Sequence, residues 1–535
     1  MTEKKQILKS ASVITLVTIA SRILGYVRDQ RITLLLGTSA LADSFVLAYR
    51  IPNLLRRLVA EGAMTAAVIP VFTSYLAGKP REEVWDFANR LFWTMAVILA
   101  AIAVLGMVFS PTVVHMFTAL DPGHTAQWDR AIELNRIIFP YIFFIGLAAL
   151  AMAILNSFHI FGLPAATPIL LNVSIIVFSI GAVWGRFKDP AVALAVGVLV
   201  GGALQFLVQV PALVRQGMRF KFGLSLRDAG VRSVGRLMIP VFLGGAVYQI
   251  NIFVDTIFAT SAKMPEGSLS SLYVADRVME LVLGGYAIAV ATAILPMMSH
   301  QAAMHDFEAM KKTFAFSLRI VSFITIPAMV GLIVLREPII SVLFQHGEFS
   351  SASTVLTARA LLYYALGLPA FAAVKLIVPA FYSSQDTRTP VRVAIYALAL
   401  NILLNMLFLK TFFQTFYNGG PALATSLTAY FNFFALFIVF RRRFGRLGTL
   451  QILISLAKVT ACSALMGLLC WGMVEYSGFS AYESFWPRLG LFSLMIILAT
   501  LFFIGMAWVI RCAEVEEVYG IATRSEVTPG RTMTK

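Results

Sequence analysis

Charge is what this sequence has least of: Asp, Glu, Lys and Arg make up 13% of its 535 residues, hydrophobic residues 59%, and mean hydropathy is +0.82. That balance excludes an ordinary soluble domain, whose charged fraction is roughly 25%. Hydrophobic runs long enough to cross about 30 Å of hydrocarbon recur from end to end, leaving short loops and no soluble domain of useful size. Cysteine is scarce as well. Cys462, Cys470 and Cys512 fall in or beside the last two hydrophobic segments without metal-ligand spacing, and read as small apolar packers. The six histidines are scattered, so no metal centre is expected. The glycine-rich loop of nucleotide hydrolases is missing, which argues against direct ATP drive, and no catalytic constellation is legible. The N-terminus resembles a secretory leader, but Arg22 interrupts its apolar stretch and no small-residue cleavage site follows, so it reads as a first membrane helix.

What is present is a fold class: an all-α polytopic membrane protein of about fourteen spans. The spacing predicts spans at 10–36, 40–76, 84–109, 131–158, 168–184 and 191–214, then 232–260, 268–302, 312–335, 353–382, 390–412 and 421–440, with a final pair at 450–473 and 485–510. The formal net charge of +16 would suit nucleic acid, yet the basic residues are spread over loops, as in RRRFGR from Arg441, and no nucleic-acid partner is expected. Their bias toward even-numbered loops places both termini in the cytoplasm.

The two sets of six spans read as a duplication. Pro70 in AVIPVF answers to Pro296 in AILPMM, and Pro111 answers to Pro338, each just after a third span. The two separations agree to within a single position. An even number of spans per copy gives both copies one orientation, hence a pseudo-two-fold axis along the membrane normal and a cavity between two lobes. The expected divisions are 1–225 for the first lobe, 226–445 for the second, 446–511 for the extra helices and 512–535 for a cytoplasmic tail.

The few charges are concentrated where they are costly. On the second span Asp43, Arg50, Arg57 and Glu61 recur at helical spacing and fall within about 40° of one another around the axis. Pro52 lies between them, and Arg56 points elsewhere. The first span adds Arg22, Arg28, Asp29 and Arg31 around Gly25. A charge at the bilayer centre costs about 2.5–3.5 kcal/mol on insertion scales, so the cluster is expected to line water; snorkelling to headgroups is the alternative for any one arginine. The eighth span carries ADRVMEL, with Asp276 and Glu280 one turn apart and Arg277 beside them, either on a transport path or as an internal salt bridge. Guanidinium forks favour phosphate, so a pyrophosphate fits the cationic first half, whereas a drug exporter for organic cations needs carboxylates. Asn251 with Asp255, and Asn401 with Asn405, form a separate polar set, suited to a hard cation or to bonding across helices.

Together these residues lead to a resemblance. SRILGYVRD from Ser21, ADSFVLAYRIPNLLRRLVAEGAMTAAVIPVF from Ala42, ADRVMELVLGGYAIAVATAILP from Ala275, LFQHGEFS from Leu343 and SSQDTRTP from Ser383 resemble the MurJ (MviN) lipid II flippases of the multidrug/oligosaccharidyl-lipid/polysaccharide exporter superfamily. The resemblance implies two six-helix lobes around a cationic cavity, and two extra helices forming a groove for the polyprenyl tail. It further implies essential roles for Arg22, Arg28, Arg56, Asp43 and the ADRxxEL acids; the charge clusters themselves add Asp29, Arg50, Arg57, Glu61 and Arg277 as candidate substrate-binding residues. The family's proposed sodium site is matched by Asp255 and Asn401, while Asn405 stands where a carboxylate belongs. The implied activity is outward flipping of lipid II across the bacterial inner membrane by a monomer, without enzymatic chemistry or a bound cofactor. Sodium, protons or the membrane potential would couple it, and membrane lipids would be its other partners. A flippase for another undecaprenyl-pyrophosphate-linked saccharide, or an ion-coupled multidrug exporter, is the competing reading.

Overall fold

The computed structural model describes residues 3–58, 64–121, 123, 125–479 and 484–515, and every regular element among them is helical. The reason is that hydrocarbon offers no hydrogen bonds, so a spanning backbone must satisfy itself within one segment. In chain order the first helices are α1 (Glu3–Leu36), α2 (Ala40–Leu58), α3 (Met64–Gly78), α4 (Arg81–Val108), α5 (Ser110–Phe117), α6 (Thr125–Ile138) and α7 (Tyr141–Ser157). Then come α8 (Gly162–Val183), α9 (Pro190–Leu207), α10 (Val210–Arg215), α11 (Ala229–Ala259), α12 (Ser268–Ala303), α13 (Phe307–Val334) and α14 (Arg336–Phe344). The series ends with α15 (Ser351–Leu366), α16 (Leu368–Ser383), α17 (Arg388–Lys410), α18 (Phe413–Phe416), α19 (Gly420–Phe444), α20 (Thr449–Tyr476) and α21 (Phe485–Val509).

Nine helical stretches among the described residues are long and apolar enough to cross a bilayer: α4, α6 with α7, α8, α9 with α10, α13, α17, α18 with α19, α20 and α21. A tenth, α15 with α16, qualifies as a pair bent by 43°. The chain is a multi-pass membrane protein. Helices α11 and α12, of 31 and 36 residues, extend beyond about 45 Å at 1.5 Å per residue and exceed the hydrocarbon thickness.

The duplication is visible in the backbone. Helices α4 and α13 have 28 residues each, and the offset that carries Arg81 onto Phe307 also carries Val108 onto Val334. The same offset relates the starts of α1 and α11, α5 and α14, α6 and α15, and α8 and α17, and the ends of α7 and α16. It is the offset that separates Pro70 from Pro296. Even the turns repeat: Phe109 and Leu335 cap their helices at φ −88°, ψ 15° and φ −92°, ψ 15°. His159 and Gln385 both take left-handed φ, near 60°. After α17 the register slips by about one helical turn, where the short helix α18 intervenes and α19 begins later than its counterpart α9 would place it.

Packing divides the chain into two compact units. The first runs through Ser271 and includes His346–Ser353; the second comprises Leu272–Gln345 and everything from Thr354 on. This division lies well beyond the lobe boundary at 225/226 drawn from the duplication. The physical reason is that α11, although it opens the second copy, is bonded into the first unit. Arg90 on α4 pairs with Asp228 at 2.8 Å, Thr260 donates to the Phe117 carbonyl at 2.7 Å, and the Phe253 ring sits edge-on to Phe117 at 4.5 Å.

Acidic residues cluster at helix starts, where orphan N–H groups need acceptors. Asp189 caps α9, Asp228 caps α11 and Asp306 caps α13, each accepting from backbone N–H groups of the first turn. Burial pushes the Asp228 carboxyl up, but the hydrogen bonds from Arg90, Val231 and Gly230 outweigh it and hold the group below its ordinary range.

Helix α8 is the hinge of the first unit's chemistry. One face carries Leu171 and Ile175 onto α9, where Gly197 and Gly201 permit close approach: a Cβ at Gly201 would lie 2.8 Å from Leu171, and one at Gly197 3.1 Å from the Ile175 backbone. This is the small-xxx-small packing of membrane helices. A second face, about 70° round, carries Asn172 and Ser179, two turns apart, toward α1.

The segment from Cys512 was expected to be tail. Its first residues pack instead: Glu514 is fully buried, accepts from Ser455 of α20 at 2.6 Å and lies 3.5 Å from Arg319 of α13.

Candidate functional site

In the first unit the charges of α1 are sorted by depth. Arg22 is exposed, while Arg28 and Asp29 are 8% and 6% exposed. Arg28 Nε and Nη2 both donate to Asp29 Oδ1, at 2.9 and 2.6 Å, and Nη1 donates to Asn172 Oδ1 at 3.0 Å. Asn172 in turn donates from Nδ2 to the Ser21 carbonyl at 3.0 Å. Two turns of α1 are thereby locked around one guanidinium. Arg31, half-buried, donates from Nε to Ser179 Oγ at 3.2 Å.

On α2, Asp43 of the predicted stripe faces the start of α12. Asp43, 4% exposed, accepts from Gly267 N at 2.9 Å with one oxygen and from Ser270 N and Oγ at 2.7 and 2.8 Å with the other. It is an N-cap for α12 supplied by another helix, satisfying orphan donors and complementing the positive end of the dipole. Gly267 permits this approach: its φ is +80°, and a Cβ there would lie 2.2 Å from the Thr38 carbonyl. Arg50 donates to Thr256 Oγ1 of α11 at 3.0 Å, and Arg56 Nε to Asn53 Oδ1 at 2.7 Å. Arg57 is half-buried, and its Nε is buried without a hydrogen-bond partner among the described residues. Glu61, the fourth member of the stripe, lies outside the described residues.

Asp255 of α11, also in the first unit, accepts from Asn251 Nδ2 at 3.2 Å. The offset of the duplication relates Asp255 to Asp29 and Asp276 to Arg50, so the second copy keeps the acid of α1 and reverses the charge of α2. In the second unit Arg277 bonds Glu280 at 2.6 Å and lies over the Tyr273 ring at 5.0 Å, while Asp276 is half-buried. Glu280 thus forms the internal salt bridge with Arg277, three residues back.

Asn401 and Asn405 are buried in the second unit and bonded to each other. Asn405 Nδ2 donates to Asn401 Oδ1 at 3.0 Å and to its carbonyl at 3.1 Å, and Asn401 Nδ2 reaches Thr425 Oγ1 at 3.4 Å. The Asn401 side-chain oxygen thus accepts an amide N–H, and the pair bonds across to Thr425 of α19.

Single-helix periodicity missed Asn172, Ser179 and Thr256: α8 carries no charge to draw attention to the first two, and on α11 only Asn251 and Asp255 stood out. The available signal was the two-turn spacing of Asn172 and Ser179 inside an otherwise apolar run.

A family model described as "Lipid II flippase MurJ" matches residues 32–490. The chain belongs to that family. Among its relatives, a "Probable lipid II flippase MurJ" from Vibrio cholerae serotype O1 is 39% identical over 443 residues, covering 81% of this chain and 82% of that one. The "Lipid II flippase MurJ" of Burkholderia cenocepacia is 32% identical over 502 residues, covering 92% and 95%. A solved structure, "Lipid II flippase MurJ, inward closed conformation", superposes with a TM-score of 0.76 at 26% identity, covering 93% of this chain and 98% of that one. An inward-facing multidrug transporter of the MATE family in the MOP superfamily shares the fold at a TM-score of 0.66 and 15% identity, covering 79% and 94%.

Replacing Asp43 by Ala strands the Gly267 and Ser270 donors at the start of α12, an expected loss of about 2 kcal/mol of stability, with Asn costing roughly half as much. Thermal unfolding of the purified variants checks this, and an unchanged midpoint for Asp43→Ala would remove the cap from the account.

Proposed function

We propose that this protein moves lipid II, the polyprenyl-pyrophosphate-linked precursor of peptidoglycan, from the cytoplasmic to the periplasmic leaflet of the bacterial inner membrane. It acts as a transporter and performs no covalent chemistry on its cargo. Membership of the MurJ family across residues 32–490 carries the reading. The cationic balance of α1 and α2 supports it chemically, because arginine forks match a pyrophosphate that carries two negative charges.

The residues take distinct parts. Arg22, exposed on α1, makes the first contact with the pyrophosphate. Arg57 follows, since a buried guanidinium N–H without a partner gains a full hydrogen bond when a phosphate oxygen reaches it. Arg50, bonded to Thr256, and Arg56, bonded to Asn53, add two further guanidinium forks to the surface offered to the headgroup. Arg28 is neutralised by Asp29 in the resting state and exchanges that carboxylate for phosphate during transport. Asp43 positions α12 and does not touch the cargo. The two halves alternate in exposing this surface to either side, with the polyprenyl tail in lipid beside α20 and α21, both termini cytoplasmic, and one chain sufficient.

Energy comes from the membrane potential in this reading. A unit charge crossing 100 mV gains about 2.3 kcal/mol, so a doubly negative headgroup leaving a negative interior gains about 4–5 kcal/mol. Collapsing the potential with sodium and pH held constant is expected to slow flipping severely; undiminished flipping would rule out electrical drive.

In cells depleted of the protein, lipid II should become resistant to an externally added enzyme that cleaves its headgroup. Wild-type protein should restore cleavage and Arg22→Ala should not. Continued cleavage after depletion would assign the cargo to some other polyprenyl saccharide.

A further inference from the structure

Asn172 sits on α8, outside both charged helices, yet its amide spans two turns of α1. Its Oδ1 accepts from Arg28 Nη1 and its Nδ2 donates to the Ser21 carbonyl, both at 3.0 Å. Between those anchors lies Gly25, whose missing Cβ would stand 3.7 Å from Asn172 Nδ2. Asn172 is itself 5% exposed. It therefore holds together the carbonyl next to Arg22 and the guanidinium of Arg28 across the most flexible position of the helix.

Neutrality at this position matters. Arg28 already has one carboxylate, that of Asp29. An amide oxygen adds aim without cancelling further charge, whereas a second carboxylate would bind the guanidinium too strongly to release it.

We propose that Asn172 is a positioning residue for Arg28, setting the affinity of the α1 arginines for lipid-linked pyrophosphate by fixing the guanidinium and the turn that carries Arg22. The proposal rests on the assignment of Arg28 to the headgroup. It differs from a packing role in one respect: the effect of Asn172 must pass through Arg28.

A double-mutant cycle on the full-length protein in detergent tests this, using undecaprenyl pyrophosphate as the probe and Kd as the readout. Asn172→Leu should weaken binding on the order of tenfold in the wild-type background, as expected for one hydrogen bond to a charged group. It should add nothing in an Arg28→Ala background. Equal losses in both backgrounds would make Asn172 a packing residue and overturn the proposal, as would an Asn172→Leu protein that binds like wild type while Arg28→Ala does not. If Arg28→Ala itself binds like wild type, the headgroup assignment of Arg28 falls first and this proposal falls with it. Asn172→Asp, nearly isosteric, guards against a Leu variant that fails to fold: it should also weaken binding, and wild-type affinity for it would contradict the role of neutrality.

Discussion

The cost of keeping a guanidinium ionised inside a membrane protein governs the first unit. Arg28 cannot be buried unless its donors are matched, and among its partners are Asp29 from its own helix and Asn172 from α8. Because α8 must bring Asn172 and Ser179 to α1, its neighbouring face is committed to α9. That contact is tight enough to require Gly197 and Gly201. A single electrostatic requirement thus fixes the arrangement of three helices, and through α1 it sets the depth at which Arg22 is exposed.

Duplication supplied the frame and divergence supplied the chemistry. Helix bounds and turn geometry recur at one constant offset, as at α4 and α13 or at His159 and Gln385. Charge does not recur with them. Arg50 in the first copy answers to Asp276 in the second, and the ion pair of Asp29 with Arg28 answers to Asp255 bonded to an amide. Cationic character is therefore a property of the first copy, with mixed charge in the second. The same frame explains α12, whose start is capped by Asp43 of α2: an acid placed at a helix N-terminus, as at α9, α11 and α13, but delivered from another helix.

Much of this was legible in the sequence, for definite reasons. Apolar runs give helices because hydrocarbon permits little else, and paired prolines at Pro70 and Pro296 reported the duplication. Long strings such as SRILGYVRD and ADRVMELVLGGYAIAV carry the family resemblance by themselves. What periodicity along one helix could not reveal was the partner on another. Asp43, read as one of a polar stripe, also caps α12 through Gly267 and Ser270; of the two readings of ADRVMEL, Glu280 forms the internal salt bridge with Arg277. The packing of α11 with the first unit was hidden for the same reason, since helix order in sequence carries no record of which neighbour a helix chooses. Spans predicted at 131–158 and 353–382 are each two helices, broken near Pro140 and at Gly367.

The central claim is that arginines of the first copy bind the cargo by its phosphates. The most direct measurement is the affinity of the purified protein for three ligands sharing one tail: undecaprenol, undecaprenyl phosphate and undecaprenyl pyrophosphate, at low and high salt. The account predicts affinity that rises with each phosphate and a difference between the lipids that shrinks in salt. Equal affinity for all three, insensitive to salt, would mean that the protein holds its cargo by the tail and would contradict the account.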